Sequence, residues 1–236
     1  MGSIINAVAI IIGGGLGLLL SNRLSERLRH TIMSMLGLFT LAYGISLFLQ
    51  TQNVMIVLAS LLVGVLLGEW WRIEEGVEAL GAFFDKRFNK NGNTESEKFI
   101  RGFMTTSLLF VIGPMAILGS IQDGLTGDIN TLVIKSVLDA FAAMAFASSL
   151  GLGVLFSFLP VLVYQGAITL LARQVQLIVS EAMMTEMVAT GGVLLLAISI
   201  SSLLELRKIR VGSFLPALIL APLLVALLAA FTINLP

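Results

Sequence analysis

The chain has 236 residues, of which 57% are apolar and only 12% are charged. A soluble globular protein carries about 25% charged residues, so this composition excludes an ordinary water-soluble domain. The 14 basic and 14 acidic side chains balance, and no basic patch stands outside the flanks of the apolar runs, so nucleic-acid binding is not expected.

The residue types narrow the chemistry further. The chain has no cysteine, which excludes disulfides, thiol catalysis and thiolate metal sites. His30 is the one histidine, so a multi-His metal centre is excluded as well. The sequence also lacks a nucleophile–base–acid arrangement, a phosphate-cradling loop and a zinc-protease helix. It therefore predicts a protein that is not an enzyme and that carries no metal or cofactor.

Eight apolar segments are long enough, or nearly so, to cross a bilayer core as helices. In chain order they span residues 4–20, 32–49, 54–68, 103–121, 132–156, 158–172, 188–204 and 214–235. Only Ser157 separates the fifth segment from the sixth, so a re-entrant sixth segment and seven crossings are the alternative. The sequence predicts an all-α fold, a polytopic helical membrane bundle in a single integral membrane domain, residues 1–236.

The basic residues predict the orientation of these spans. If the spans alternate, twelve of the fourteen basic residues fall in loops on one side, and only Lys135 and Arg173 fall on the other. Cytoplasmic loops of membrane proteins are enriched in Lys and Arg. The twelve basic residues are therefore expected in the cytoplasm, and both chain termini are expected outside.

Residues 73–89 differ from the spans in their pattern. Apolar residues recur at helical spacing among charged ones: Ile73, Val77, Leu80, Phe84 and Phe88. This pattern predicts an amphipathic helix on the cytoplasmic membrane surface, followed by a polar linker that ends at Lys98. The alternative interpretation is a docking site for a partner.

The two halves of the chain, residues 1–121 and 132–236, are weakly similar in sequence, which indicates an internal repeat. The matched stretches are residues 5–7 with 138–140 and residues 69–73 with 205–209. Four spans in each half would give both halves the same orientation, a parallel repeat, whereas an odd number would give an inverted one.

Several residues interrupt the helical pattern inside the spans. Gly14 with its glycine neighbours, residues 13–15, should loosen the first helix. Gly113 and Pro114 should break or kink the fourth segment, and Pro216 and Pro222 the eighth. Breaks at matching places in two halves indicate a transport site, with a purely structural kink as the alternative.

Polar residues inside the spans are few. Asp139 lies within an apolar run with Lys135 four residues earlier on the same helical face, which fits either an ion pair near the outer interface or a solute or proton site. Gln165 and Asn6 are further candidates, although amides also bond helix to helix or cap helix starts. Residues 123–128 indicate an outer loop, either plainly solvated or a weak cation site.

Four stretches resemble one bacterial family: residues 112–125, 135–139, 164–166 and 210–217. The family is the YqgA/YdfK-like group of inner-membrane proteins, known as domain of unknown function 554, and the resemblance covers essentially the whole chain. It implies a multi-pass protein of the bacterial cytoplasmic (inner) membrane, in a family often described as transporters. It implies no particular substrate.

These observations favour a secondary transporter or channel for a small solute or ion, with its site between two half-bundles near broken helices. The candidate binding residues are Asp139, Lys135, Gln165, Gly113, Pro114, Gly14 and Asn6. The alternative is a non-transporting membrane scaffold or sensor that acts through the amphipathic helix. The expected partners are the lipid bilayer and the solute, and the sequence is compatible with a homo-oligomer.

Overall fold

The computed structural model describes residues 1–21, 24–76, 78–79, 83 and 93–232, and its regular elements in these ranges are all helical. The helices are α1 (Gly2–Ser21), α2 (Glu26–Phe48), α3 (Val54–Trp70), α4 (Asn93–Ile112), α5 (Pro114–Thr126), α6 (Asn130–Leu150), α7 (Gly153–Phe156), α8 (Phe158–Leu170), α9 (Ala172–Ile178), α10 (Glu181–Ile198) and α11 (Pro216–Thr232). A π-helical turn (Ser199–Leu203) extends α10, and a 3-10 helix (Val211–Phe214) precedes α11. The predicted all-α fold is confirmed.

Six helical segments of the described chain are long and apolar enough to cross a membrane, or seven if α4 and α5 together form one bent span. The six are Gly2–Ser21, Glu26–Phe48, Asn130–Leu150, Gly153–Leu170, Glu181–Leu203 and Val211–Phe231. Helix α3 is apolar but has only 17 residues. A helical protein with several spans is thus confirmed, and the number eight stays a prediction.

The break predicted in the fourth segment is present. Helices α4 and α5 meet at an angle of 60°, and Gly113 between them is extended, with φ −66° and ψ 143°. Pro114 is the first residue of α5. Proline lacks the N–H that would continue α4 and disfavours a helical conformation at the residue before it, so the helix must end here.

The glycines of α1 behave differently from the prediction. Helix α1 runs unbroken through residues 13–15, so the expectation that they loosen it is wrong. A Cβ on Gly13 would overlap the carbonyl oxygen of Ala140, and a Cβ on Gly17 would overlap that of Met144. A Cβ on Gly14 would lie 2.7 Å from the side chain of Leu155. The missing side chains let α6 approach α1 closely, and this packing offsets the low helix propensity of glycine.

Two further boundaries differ from the predicted ones. Pro216 begins α11 and Pro222 lies inside it, so neither proline breaks a helix within the eighth segment, and a kink at either one stays a prediction. Ser157 lies between α7 and α8 but has helical dihedrals, φ −62° and ψ −15°, and the apolar span Gly153–Leu170 runs through it, so the fifth and sixth segments do not divide there. The separator is Gly151, whose φ of 78° suits glycine.

The chain forms two compact units. Unit 1 comprises Met1–Gly37 and Glu78–Gln176, and unit 2 comprises Leu38–Val77 and Leu177–Pro236. Each unit contains residues from both halves of the sequence, so neither coincides with the halves 1–121 and 132–236. The single domain and the internal repeat stay predictions.

Unit 1 is built around α1 and α6, which run in the same direction: Gly2 lies against Leu132, and Gly17 lies against Met144. The backbone N–H of Gly2 donates to Asp123 Oδ2 at 2.9 Å, which satisfies a free donor at the start of α1. Asp123 itself lies in the last turns of α5 and is buried. It is therefore not part of the predicted outer loop. The loop itself is confined to residues 127–129.

Unit 2 is held by a buried carboxylate that the sequence did not single out. Glu186 of α10 accepts hydrogen bonds from Thr51 Oγ1 (2.5 Å) and from the backbone N–H groups of Gln52 (2.8 Å) and Asn53 (3.0 Å). Asn53 in turn caps α3 by accepting from the N–H of Met55. These bonds fix the turn between α2 and α3.

A second polar network of unit 2 joins the end of α3 and the residues that follow it to the 3-10 helix that precedes α11. Arg210 donates to Glu69 and to Glu75, each at 2.6 Å, and Ser213 Oγ donates to Glu69 at 2.7 Å. A backbone hydrogen bond and the nearby Arg210 guanidinium lower the pKa of Glu75. Of the predicted amphipathic helix 73–89, residues 73–76, 78–79 and 83 are described and helical, and the remainder lies outside the described residues.

Candidate functional site

Four polar side chains from three helices meet inside unit 1. They are Asn6 of α1, Lys135 and Asp139 of α6, and Gln165 of α8, here called the polar tetrad. Asn6 and Gln165 are fully buried, while Lys135 and Asp139 are 5% and 7% exposed. The sequence marked each of the four as a candidate, and the structure brings all four together.

The helices set this arrangement. Lys135 and Asp139 are four residues apart on α6 and form an ion pair, as the helical spacing predicts. Asn6 reaches them because the glycines of α1 let α6 approach, and because Asp123 holds the start of α1 in place.

The ionised carboxylate of Asp139 fixes which atoms of the tetrad donate and which accept hydrogen bonds. Asn6 Nδ2 donates to Asp139 Oδ2 at 3.0 Å and to Gln165 Oε1 at 3.2 Å. Lys135 Nζ donates to the same Asp139 oxygen. An ionised carboxylate only accepts hydrogen bonds, so Asn6 must turn its NH2 group towards Asp139. Gln165 must then turn its carbonyl oxygen towards Asn6.

With these donors and acceptors assigned, two polar atoms of the tetrad have no partner. Asn6 Oδ1 and Gln165 Nε2 are buried and have no hydrogen-bond partner among the described residues. An unsatisfied buried polar group costs about 1–3 kcal/mol, so such atoms are rare and call for a water, an ion or a functional role. The tetrad therefore offers one free acceptor and one free donor beside a charge pair.

The break at Gly113 lies near the tetrad along α4. Lys135 Nζ lies 5.8 Å from the centroid of the Phe110 ring, a cation–π contact. Phe110 is three residues before Gly113, within one helical turn of the break. Gly14, by contrast, lies against Leu155, and its described contact is with this apolar side chain and not with the tetrad.

Four buried hydroxyls escaped the sequence analysis: Thr40 in unit 2, and three in unit 1 that are here called the free hydroxyls, Thr105 and Ser107 of α4 and Ser149 of α6. Their oxygens have no hydrogen-bond partner among the described residues. Hydroxyls in apolar helices usually donate to the carbonyl four residues earlier, as those of Thr106 and Ser136 do here. The residue type does not show whether a hydroxyl in a helix bonds to the backbone or stays without a partner, so the sequence could not identify the free hydroxyls.

The free hydroxyls lie on α4 and α6, the two helices that meet at Phe110 and Lys135. Gly102 packs against Leu150, and eight residues further along α4 Phe110 contacts Lys135, so α4 and α6 run in opposite directions. Thr105 and Ser107 lie between these two levels of α4, while Ser149 lies next to Leu150. Residues two apart on a helix do not face the same side, so Thr105 and Ser107 point away from α4 in different directions and do not form one line of hydroxyls to the tetrad.

Comparison with known proteins finds one family that matches nearly the whole chain. The family described as "Protein of unknown function (DUF554)" matches residues 1–226. "Uncharacterized protein YqgA" of Escherichia coli (strain K12) is 36% identical over 94% of both chains. "Uncharacterized membrane protein YdfK" of Bacillus subtilis (strain 168) is 28% identical over 99% of both chains. No solved structure matches. The chain is a membrane protein with several apolar helices, and it belongs to the DUF554 family.

Proposed function

We propose that this protein is a transporter or channel that moves a small polar solute or ion through unit 1, with the polar tetrad as its binding site. The observation that carries the proposal is the pair of buried, unpartnered atoms, Asn6 Oδ1 and Gln165 Nε2. A charge placed at the centre of a membrane span costs about 2.5–3.5 kcal/mol, so ionisable residues there usually serve a solute or an ion. An ion pair with a purely structural role would not need two neighbouring amide side chains, Asn6 and Gln165, that each keep one atom without a hydrogen-bond partner.

The helix break and the free hydroxyls support the same proposal. A break within the apolar part of a helix frees backbone groups that must face protein or a wet cavity, and transporters place such breaks beside their binding sites. The oxygens of Thr105, Ser107 and Ser149 add unpartnered hydrogen-bonding groups on α4 and α6. With the break, they would make this part of unit 1 more polar than its apolar sequence.

The proposal includes a location and an orientation. Asn6 comes from residues 1–121 and the rest of the tetrad from residues 132–236, so the site joins the two halves of the sequence. We place the protein in the bacterial cytoplasmic membrane with its basic loops inside, acting without enzymatic chemistry. The scaffold or sensor alternative depends on residues 73–89, most of which lie outside the described part of the chain.

Re-swelling of proteoliposomes tests the proposal without a known substrate. Liposomes that contain the purified protein are shrunk by gradients of urea, glycerol, glycine or L-alanine, and light scattering follows their return to size. We expect re-swelling faster than in empty liposomes for at least one solute. Gln165→Leu should abolish it, whereas Gln174→Leu, at an exposed position of α9, should not. Rates equal to those of empty liposomes for every solute, or full activity in Gln165→Leu, would contradict the proposal.

A further inference from the structure

We infer that the solute recognised by the polar tetrad is a small zwitterion, a molecule of about the size of glycine that carries one ammonium and one carboxylate. The inference rests on the proposed function and narrows it from a polar solute to a chemical class.

The charge balance of the tetrad is the first argument. Lys135 and Asp139 neutralise each other, and the two other members are uncharged amides. A solute with a net charge would leave one charge without a counter-charge among apolar helices, which is unfavourable. A zwitterion can enter and leave such a site while the total charge stays at zero.

The free hydrogen-bonding atoms are the second argument. Asn6 Oδ1 is an acceptor on the amide that bonds to Asp139, so an ammonium group could donate to both residues. Gln165 Nε2 is a free donor, and with Lys135 it could hold a carboxylate. Binding would open the ion pair of the protein and replace it with two ion pairs to the solute.

The burial of the tetrad limits the size of the solute. Its four residues are at most 7% exposed, and α1 and α6 approach each other so closely that a Cβ on Gly13 or Gly17 would overlap the facing backbone. Space for a solute must come mainly from the separation of Lys135 and Asp139. A solute of few heavy atoms, such as glycine or L-alanine, fits this limit.

A neutral solute is the strongest competing class. Water or glycerol would satisfy the free atoms of Asn6 and Gln165 without using the charges, because a hydroxyl both donates and accepts. A structural water on these two atoms would also leave the ion pair closed. Zwitterion binding differs from both cases because it requires the ammonium and the carboxylate of one solute molecule together. Competition by molecules that carry only one of these groups measures this requirement.

The test compares glycine with its two charged parts. Binding of radiolabelled glycine to the purified wild-type protein is measured in competition with unlabelled glycine, with methylamine, which carries only the ammonium, and with acetate, which carries only the carboxylate. We expect unlabelled glycine to compete and both single-charge probes to fail at the same concentration. Gln165→Leu should raise the Kd for glycine by about tenfold or more, the effect of one lost hydrogen bond to a charged group, while Gln174→Leu leaves it unchanged.

Three outcomes would overturn the inference: glycine does not bind, methylamine or acetate competes as well as glycine, or Gln165→Leu binds glycine normally. If glycine does not bind but glycerol or urea re-swells liposomes in a manner that depends on Gln165, the proposed function stands and the zwitterion is wrong. If no solute re-swells the liposomes and none binds, both are wrong. Should Gln165→Leu fail to fold, the competition experiment on the wild-type protein decides.

Discussion

A single oxygen, Oδ2 of Asp139, receives hydrogen bonds from both Lys135 and Asn6. Asp139→Asn removes the negative charge and leaves Lys135 charged and buried without a counter-ion. Loss of one partner of a buried ion pair typically costs about 3–5 kcal/mol, so we expect the free energy of unfolding in detergent to fall by that amount. The double variant Lys135→Met with Asp139→Leu should recover most of it, because apolar side chains can often replace a buried pair.

A surface ion pair provides the control for this cycle. Glu26 pairs with Arg29 at 3.1 Å, and the Glu26 side chain is 87% exposed. Exposed pairs contribute little to stability, so Glu26→Gln should barely change the unfolding transition. If the double variant is as unstable as Asp139→Asn alone, the pair is not the cause of the loss.

The sequence could predict the members of the tetrad but not their geometry. Ionisable and amide side chains are rare inside apolar runs, so Asp139 and Gln165 could be recognised from the sequence alone. The bond between Asn6 and Gln165 joins residues 159 positions apart, and no local pattern reports it. Glu186 was missed for a related reason: it lies just before an apolar segment, and its partners are residues 51–53.

At the level of the helices, the glycines of α1 allow a matched test of packing. Gly13→Ala should destabilise the protein by about 1–3 kcal/mol, because the new Cβ would overlap the Ala140 carbonyl. Gly15→Ala meets nothing within 4 Å and should stabilise α1 by up to about 1 kcal/mol through helix propensity. Thermal unfolding of the two variants side by side measures the difference, and equal effects would show that α1 and α6 are not in close contact.

Pro114 tests whether the break in the fourth segment matters for function. With Pro114→Ala the N–H returns, and Gly113 is free to become helical, so α4 can continue towards α5. We expect near-normal expression and a loss of solute re-swelling of about tenfold or more, an energetic change of about 1.4 kcal/mol or larger. Pro222→Ala, which alters a proline inside the continuous helix α11, is the control. Unchanged re-swelling in Pro114→Ala would remove the break from the mechanism.

The helix boundaries show which features of the fold are local. Proline breaks a helix through its own ring and its missing N–H, so the sequence predicts the break at Pro114 correctly. Whether a glycine loosens a helix or lets another helix approach depends on what lies opposite, and the partner of Gly13 is Ala140. The boundary at Gly151 was missed because its apolar neighbours continue the hydrophobic run on both sides.

For the whole molecule, the distribution of basic residues predicts the topology. The chain has no cysteine, so single cysteines give unambiguous labelling. Arg207→Cys should resist a membrane-impermeant thiol reagent in intact spheroplasts and react after lysis, because its loop is expected in the cytoplasm. Asp128→Cys, at an exposed position in the loop 127–129, should react before lysis. The reverse pattern would invert the orientation.

The division into units could not be predicted from the sequence. Residues 38–77 belong to unit 2 although unit 1 contains the chain on either side of them. Hydrophobic runs report which segments enter a membrane, but they contain no information on which helices pack together. In unit 1 that choice depends on contacts such as those of Gly13 and Gly17 with α6.

The most direct test of the polar tetrad as a solute site is solute re-swelling by liposomes that contain the double variant Lys135→Met with Asp139→Leu. This variant should fold, because both charges are removed together, and a cooperative unfolding transition near that of the wild type would confirm this. Re-swelling with the solutes that the wild-type protein passes should fall to the rate of empty liposomes. A double variant that is folded and passes those solutes at the wild-type rate would contradict a role for the tetrad in transport.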